Sequence, residues 1–174
     1  MTLVLGCDPG LKGAIALLRD TDLLGVWDIP TLEVTRNGGK RSQVDHVMLA
    51  HLFADLTRGR GDNGLLDPIQ RVYIEDVGVR PGEGAVGAFA FGKGFGALIQ
   101  AVADRGLPYT PIAPRTWQIA VGLKSGSDDD ALDMARRLWP SLHGPDGKFA
   151  FGLKKHAGRA DAALIALAGV RRQA

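Results

Sequence analysis

Two short apolar runs, Thr2 to Asp8 and Ala14 to Leu18, flank an Asp-Pro-Gly turn, and this pairing constrains the fold more than any other feature. Runs of this length, rich in Leu, Val and Ile and separated by turn residues, read as antiparallel strands. Leu23 to Ile29 adds a third strand and makes a meander. Pro30 to Arg41, with Asn37-Gly38-Gly39 near its end, has the chemistry of a loop.

Ser42 reads as the N-cap of an amphipathic helix carrying Val44, Val47, Met48, Leu52 and Leu56 at helical spacing. Arg71 to Val77 is a β-branched and aromatic strand with Glu75 and Asp76 near its C-terminal end. Pro81 to Gly87 reads as a glycine-rich loop, and Ala88 to Arg105 as a helix despite Gly92, Gly94 and Gly96. Each glycine costs a helix about 1 kcal/mol relative to alanine, so three together imply tight backbone packing or a broken first turn. Pro108 to Ala113 is a further strand, Pro114 opens a helix to Val121, and Ser127 caps another to Leu138. Ser141 to Gly158 reads as a loop with two basic stretches, and Arg159 to Arg171 as a last helix with Asp161 in its first turn. The order βββαβαβα implies an α/β fold with a mixed five-stranded sheet flanked by helices.

The 174 residues fit one domain spanning 1–174. Cys7 is the single cysteine, which excludes a disulfide framework and a multi-cysteine zinc site. No signal peptide is read at the N-terminus and no stretch reads as a bilayer span, so a cytoplasmic setting without membrane contact is expected. Net charge is only +2, so distribution matters more than the total. Basic residues gather at Arg36, Lys40 and Arg41, at Arg58 and Arg60, and at Lys148, Lys154, Lys155, His156 and Arg159.

Three acids stand at the ends of apolar elements: Asp8, Glu75 and Asp161. Taken singly, Asp8 serves as a turn former, Glu75 as a strand-end surface residue and Asp161 as a complement to the helix dipole. Taken together they point to one sheet edge, where carboxylates repel unless a cation lies between them. Magnesium suits such oxygen donors, and two ions about 3.5–4 Å apart activate water and stabilise the leaving oxygen in phosphodiester cleavage.

Gly6-Cys7-Asp8-Pro9-Gly10 followed by Gly13-Ala14-Ile15-Ala16, then Val72-Tyr73-Ile74-Glu75, then Gly158-Arg159-Ala160-Asp161-Ala162-Ala163-Leu164 resemble the three acidic motifs of the RuvC-type Holliday junction resolvases. Phe95-Gly96 through Pro111-Ile112-Ala113-Pro114-Arg115-Thr116-Trp117 is similar to the segment between the second and third motifs, and the pattern is especially close to bacteriophage and chloroplast junction resolvases. The resemblance implies a ribonuclease H-like fold. It implies a homodimer that nicks opposing strands of a four-way junction and leaves 5′-phosphates. It also implies Asp8, Glu75 and Asp161 as ligands of two Mg2+ ions, with Mn2+ able to substitute. Many members of that family carry an acid or histidine one helical turn before the last aspartate, where this chain has Gly158. His156 is the expected fourth catalytic residue and Lys155 its competitor. Lys124, Lys154, Lys155, Arg159 and Arg41 are expected DNA contacts, and Phe91 a residue able to stack on an exposed base. Other expectations for such a chain are a nuclease of RNA–DNA hybrids or flaps, and a phosphate-binding domain of the actin and sugar-kinase type. The latter requires two such domains, more than this length holds.

Overall fold

The N-terminal run forms β1 (Leu3–Asp8), paired antiparallel with β2 (Ala14–Arg19), which pairs antiparallel with β3 (Asp22–Asp28). This computed structural model describes residues 1–36, 38–58, 67–78, 82, 84–123, 127–144 and 146–173. On the other side of β1 lie β6 (Arg71–Glu75) and β7 (Tyr109–Ile112), both parallel to it, giving the mixed five-stranded order β3-β2-β1-β6-β7.

Alternation along the strands creates two cores. Leu3, Leu5 and Cys7 of β1 and Val72 and Ile74 of β6 face the layer made by α1 (His46–Thr57) and α2 (Ala85–Ala103). Val4 of β1 and Tyr73 of β6 face the opposite layer, where α3 (Pro114–Val121), α4 (Asp128–Leu138) and α5 (Ala157–Gln173) pack. Ala160 and residues 162–168 of α5 are buried, as expected of a helix apolar on nearly every side, and Asp161 among them is half-buried.

Alanine and glycine let α5 settle onto the sheet. A Cβ at Gly6 would overlap the Ala162 carbonyl oxygen and the Ala166 amide nitrogen, and one at Gly169 would overlap the Tyr73 ring. The helix therefore crosses β1 at a distance that only a bare backbone permits.

Several expectations are corrected. Pro30 to Arg41 is not a loop: Thr31–Arg36 (β4) and Gly39–Val44 (β5) form an antiparallel hairpin of their own. The β-branched Thr31, Val34, Thr35 and Val44 favour strand on both sides of the turn. The first helix begins later than Ser42. Its cap is Asp45, whose carboxylate accepts from the Val47 and Met48 amides at 3.1 and 3.0 Å.

Helix α2 begins at Ala85, within the expected loop, and of its three central glycines only Gly94 meets another element, the Val44 side chain. Its 19 residues are also long and apolar enough to cross a bilayer by length and composition, contrary to expectation. Here Leu98, Ala101 and Val102 pack it into the core. The segment before α5 contains a His143–Phe149 bridge and a 3-10 turn, Lys154–His156, and α5 starts two residues early, so Asp161 falls just past its first turn. Ser127 caps α4 as expected.

Replacing Gly6 by alanine should destabilise the protein by about 1–3 kcal/mol or more, since the obstacle is backbone rather than a movable side chain. Urea unfolding followed by circular dichroism measures it, and an unchanged midpoint would contradict the close crossing.

Candidate active site

The acids sit where the strands end. Asp8 closes β1 and Glu75 closes β6, and the parallel register Cys7 opposite Ile74 makes them neighbours at the next position. Both follow the alternation of Val4 and Tyr73, so they share the α5 face of the sheet. Parallel strands about 4.8 Å apart put two such carboxylates within reach of one cation.

The third acid arrives on α5. A Cβ at Gly158 would overlap the Lys12 carbonyl oxygen and stand 2.9 Å from Asp8 Oδ2, so the start of α5 presses against Asp8 and the β1–β2 turn. Asp161 lies three residues, close to one turn, further along and is half-buried. The same contact explains the glycine at 158: any side chain there would collide with the turn.

Sequence reasoning missed Trp117. This residue of α3 is buried, and its indole Nε1 donates to Glu75 Oε1 at 2.8 Å. A buried tryptophan requires a partner for its N–H, which was the available signal. Lys12 was missed too. It is exposed on the turn whose backbone touches Gly158.

Arg159, expected as a DNA contact, is largely enclosed and paired within the fold. Its side chain is 6% exposed, and Nε and Nη2 donate to the two carboxylate oxygens of Asp28, both at 2.6 Å. Nη1 donates to the Ala150 carbonyl at 3.4 Å. A buried guanidinium requires such pairing, and the bidentate form is the strong one. Asp28 raises the Arg159 pKa further, so the charge is permanent.

His156, expected as the fourth catalytic residue, is enclosed as well. It is 3% exposed, and Nδ1 accepts from the Leu153 amide at 3.3 Å. With Nδ1 accepting, the proton of the neutral ring belongs on Nε2, which is buried without a hydrogen-bond partner among the described residues. Burial, then the charge of Arg159, push its pKa down. The imidazole is thus neutral and enclosed beside the Arg159 cluster rather than open to a phosphate. Burial, with Asp8 adding, pushes the Cys7 thiol far up, so it is an inert core residue.

The remaining expected contacts differ in setting. Lys154 and Lys155 are exposed just before α5, Lys154 pairing with Asp129 at 3.3 Å. Arg41 is exposed on β5. Phe91 is half-buried and stacks on Phe95 with centroids 6.0 Å apart, whereas Phe89 is 69% exposed. Lys124 lies outside the described residues.

Asp8, Glu75 and Asp161 offer oxygen donors of the kind magnesium prefers, and the Trp117 bond is made to Oε1 of Glu75. The chemistry of the donor set therefore fits a hard cation. Among the described residues, no three His, Cys, Asp or Glu side chains stand close enough to hold a metal together in this conformation. Asp8 and Glu75 are brought side by side, while Asp161 is brought to the same edge without closing the triad. Like-charged carboxylates repel when no cation lies between them.

The sheet order and flanking helices define a ribonuclease H-like α/β fold. It is the fold of RuvC. The chain is similar to T. thermophilus RuvC in complex with a Holliday junction substrate, with TM-score 0.61 and 15% identity, over 99% of this chain and 95% of that one. It is likewise similar to another Thermus thermophilus RuvC structure, with TM-score 0.55 and 18% identity, over the same shares of the two chains. No protein-family model and no curated protein matches the sequence.

The lowered pKa of His156 has a definite sign for stability. The unfolded chain takes up a proton as pH falls below about 6.5, whereas the folded chain resists it, so stability is lost on acidification through that window. His156→Asn keeps an acceptor for the Leu153 amide and removes the titration. Its melting temperature should fall less than the parent's between about pH 7.5 and about pH 5.5. Parallel curves in differential scanning fluorimetry would show that burial at His156 is not linked to folding.

Proposed function

We propose that the chain is a metal-dependent endodeoxyribonuclease that resolves four-way or similarly branched DNA, as a homodimer, leaving 5′-phosphate nicks. One observation carries this reading: two carboxylates, Asp8 and Glu75, on neighbouring ends of parallel strands, with Asp161 on the helix pressed against them. The shared fold supports it, since one solved RuvC with that fold was captured on a Holliday junction substrate.

In this reading Asp8, Glu75 and Asp161 are the ligands, and Trp117 orients Glu75 by holding one of its oxygens. Magnesium bound there would supply water activation and neutralisation of phosphate charge. Lys154 and Lys155, next to the N-terminal end of α5, attract the DNA backbone towards the acids. The Lys154–Asp129 pair is exposed and weak, so Lys154 exchanges it for a phosphate at little cost.

The dimer rests on α2. Ala85, Phe89, Gly92, Gly96 and Ala103 recur along one exposed stripe at heptad spacing, with half-buried Ile99 in the same row. Cβ atoms at Gly92 and Gly96 would meet nothing, which leaves room for a second α2 to approach around a two-fold axis. Two sites so related match the two opposing strands of a junction.

Asp8→Asn, Glu75→Gln and Asp161→Asn should each abolish magnesium-dependent cutting of a four-way junction while leaving folding and binding in EDTA nearly intact. Matched duplex, RNA–DNA hybrid and flap substrates run alongside, and equal cutting of these would refute junction selectivity. Normal cutting by any one variant removes that acid from the site. For the dimer, Phe89→Lys places a charge in the seam and should convert the dimer to monomer in light scattering. A parent protein that is monomeric even with junction bound would refute the assembly.

A further inference from the structure

Apart from Val44, which joins the core on the α1 and α2 side, the described residues of the β4–β5 hairpin lie outside both cores. Thr31, Glu33, Thr35, Lys40, Arg41 and Ser42 are exposed, and among the residues whose burial is described only Val44 at its base is buried. A two-stranded ribbon is marginal in water on its own, so this one depends on its root. The Asp45 amide donates to the Pro30 carbonyl at 2.8 Å, the Ile29 amide to the Gly13 carbonyl at 2.9 Å, and Val44 packs on Gly94 of α2.

That root has a significant address. Asp8 pairs with Ala14 and Ala14 with Asp28, so the end of β3 lies at the same sheet edge as the acids. Arg159 then ties Asp28 to the start of α5. The hairpin thus leaves the sheet from the candidate active-site edge. Its six-residue strands give it a reach of about 20 Å, comparable to half a turn of duplex DNA.

Charge identifies what it meets. Residues 31–44 carry Arg36, Lys40 and Arg41 against one acid, Glu33. The register pairs Thr35 with Lys40 and Val34 with Arg41, so neighbouring cations near the tip point to opposite faces of the ribbon. One cation on each face suits a ribbon lying along a groove with a row of phosphates on either side. Glu33 occupies Lys40 at 3.2 Å, but both side chains are well exposed and the pair is easily exchanged.

We propose that this hairpin is a DNA-gripping arm, contacting the phosphate backbone of a duplex arm through Lys40 and Arg41 as that arm enters the acid edge. The proposal rests on the branched-DNA reading above and names an element that holds the substrate. Such contacts position DNA without reading sequence.

Fluorescence anisotropy in EDTA, with a labelled immobile four-way junction and a linear duplex across a salt series, tests it. Lys40→Ser/Arg41→Ser should bind both probes about tenfold or more weakly at low salt, and the slope of log affinity against log salt should shrink by about two. Lys40→Arg/Arg41→Lys keeps both charges and should bind like the parent. Glu33→Gln frees Lys40 and should bind more tightly, an opposite sign that a loss of folding cannot produce. If the parent binds DNA and the double serine variant, folded by circular dichroism, binds equally well, the arm is refuted. Its cations then only keep the exposed ribbon edges from pairing. Failure of Glu33→Gln to tighten binding overturns the assignment of Lys40. Loss of the dimer in the serine variant makes the hairpin a self-association element and also overturns the proposal. A parent that binds neither probe refutes the branched-DNA reading itself, and the arm with it.

Discussion

Helix α5 lies on β1 with backbone against backbone, and the position of nearly every candidate site residue follows from that contact. Gly6 on the strand accepts the Ala162 and Ala166 backbone, Gly158 accepts the Lys12 carbonyl, and Gly169 accepts the Tyr73 ring. Close packing leaves no room for one methyl at these points, so the helix has essentially one way to lie. Its start is thereby held against Asp8, and Asp161 is delivered to an edge that the strands already supply with two carboxylates. The absence of a side chain at Gly158 is a consequence of this packing, which occupies the space such a residue would need.

Around that crossing the charged groups are sorted by burial. Arg159 is kept charged in an enclosed position because Asp28 takes its guanidinium with two short bonds. The same guanidinium helps keep nearby His156 neutral, since a second positive charge there would be repelled as well as desolvated. Together they brace the start of α5, the end of β3 and the segment leading into the helix. Asp8, Glu75 and Asp161 retain partial access to solvent, as groups that exchange ligands require.

Local patterns were sufficient wherever a residue's neighbours in sequence were also its neighbours in space. The meander, the strand ending in Glu75, the Ser127 cap and the apolar last helix follow from period, turn chemistry and capping. The β4–β5 hairpin was hidden because its strands are mostly polar and exposed, so no hydrophobic alternation announced them. Asp45 displaced Ser42 as a cap because β5 continues to Val44, and a residue still in a strand cannot begin a helix.

What the sequence by itself determined is the set of acids, their places at the ends of apolar elements and the order of those elements, because these depend on residue type and spacing along the chain. Only the tertiary structure decided which cations are available to a ligand. Arg159, His156, Lys154 and Lys155 are close in sequence and look alike as a basic cluster, yet the first two are enclosed and the last two exposed. For Arg159 the enclosure is made tolerable by Asp28, more than a hundred residues away, through a bond that no local pattern reveals. Trp117 and Glu75 repeat the lesson at the site: their pairing joins α3 to β6 because a buried indole N–H must find an acceptor, and the fold brings that acceptor to it.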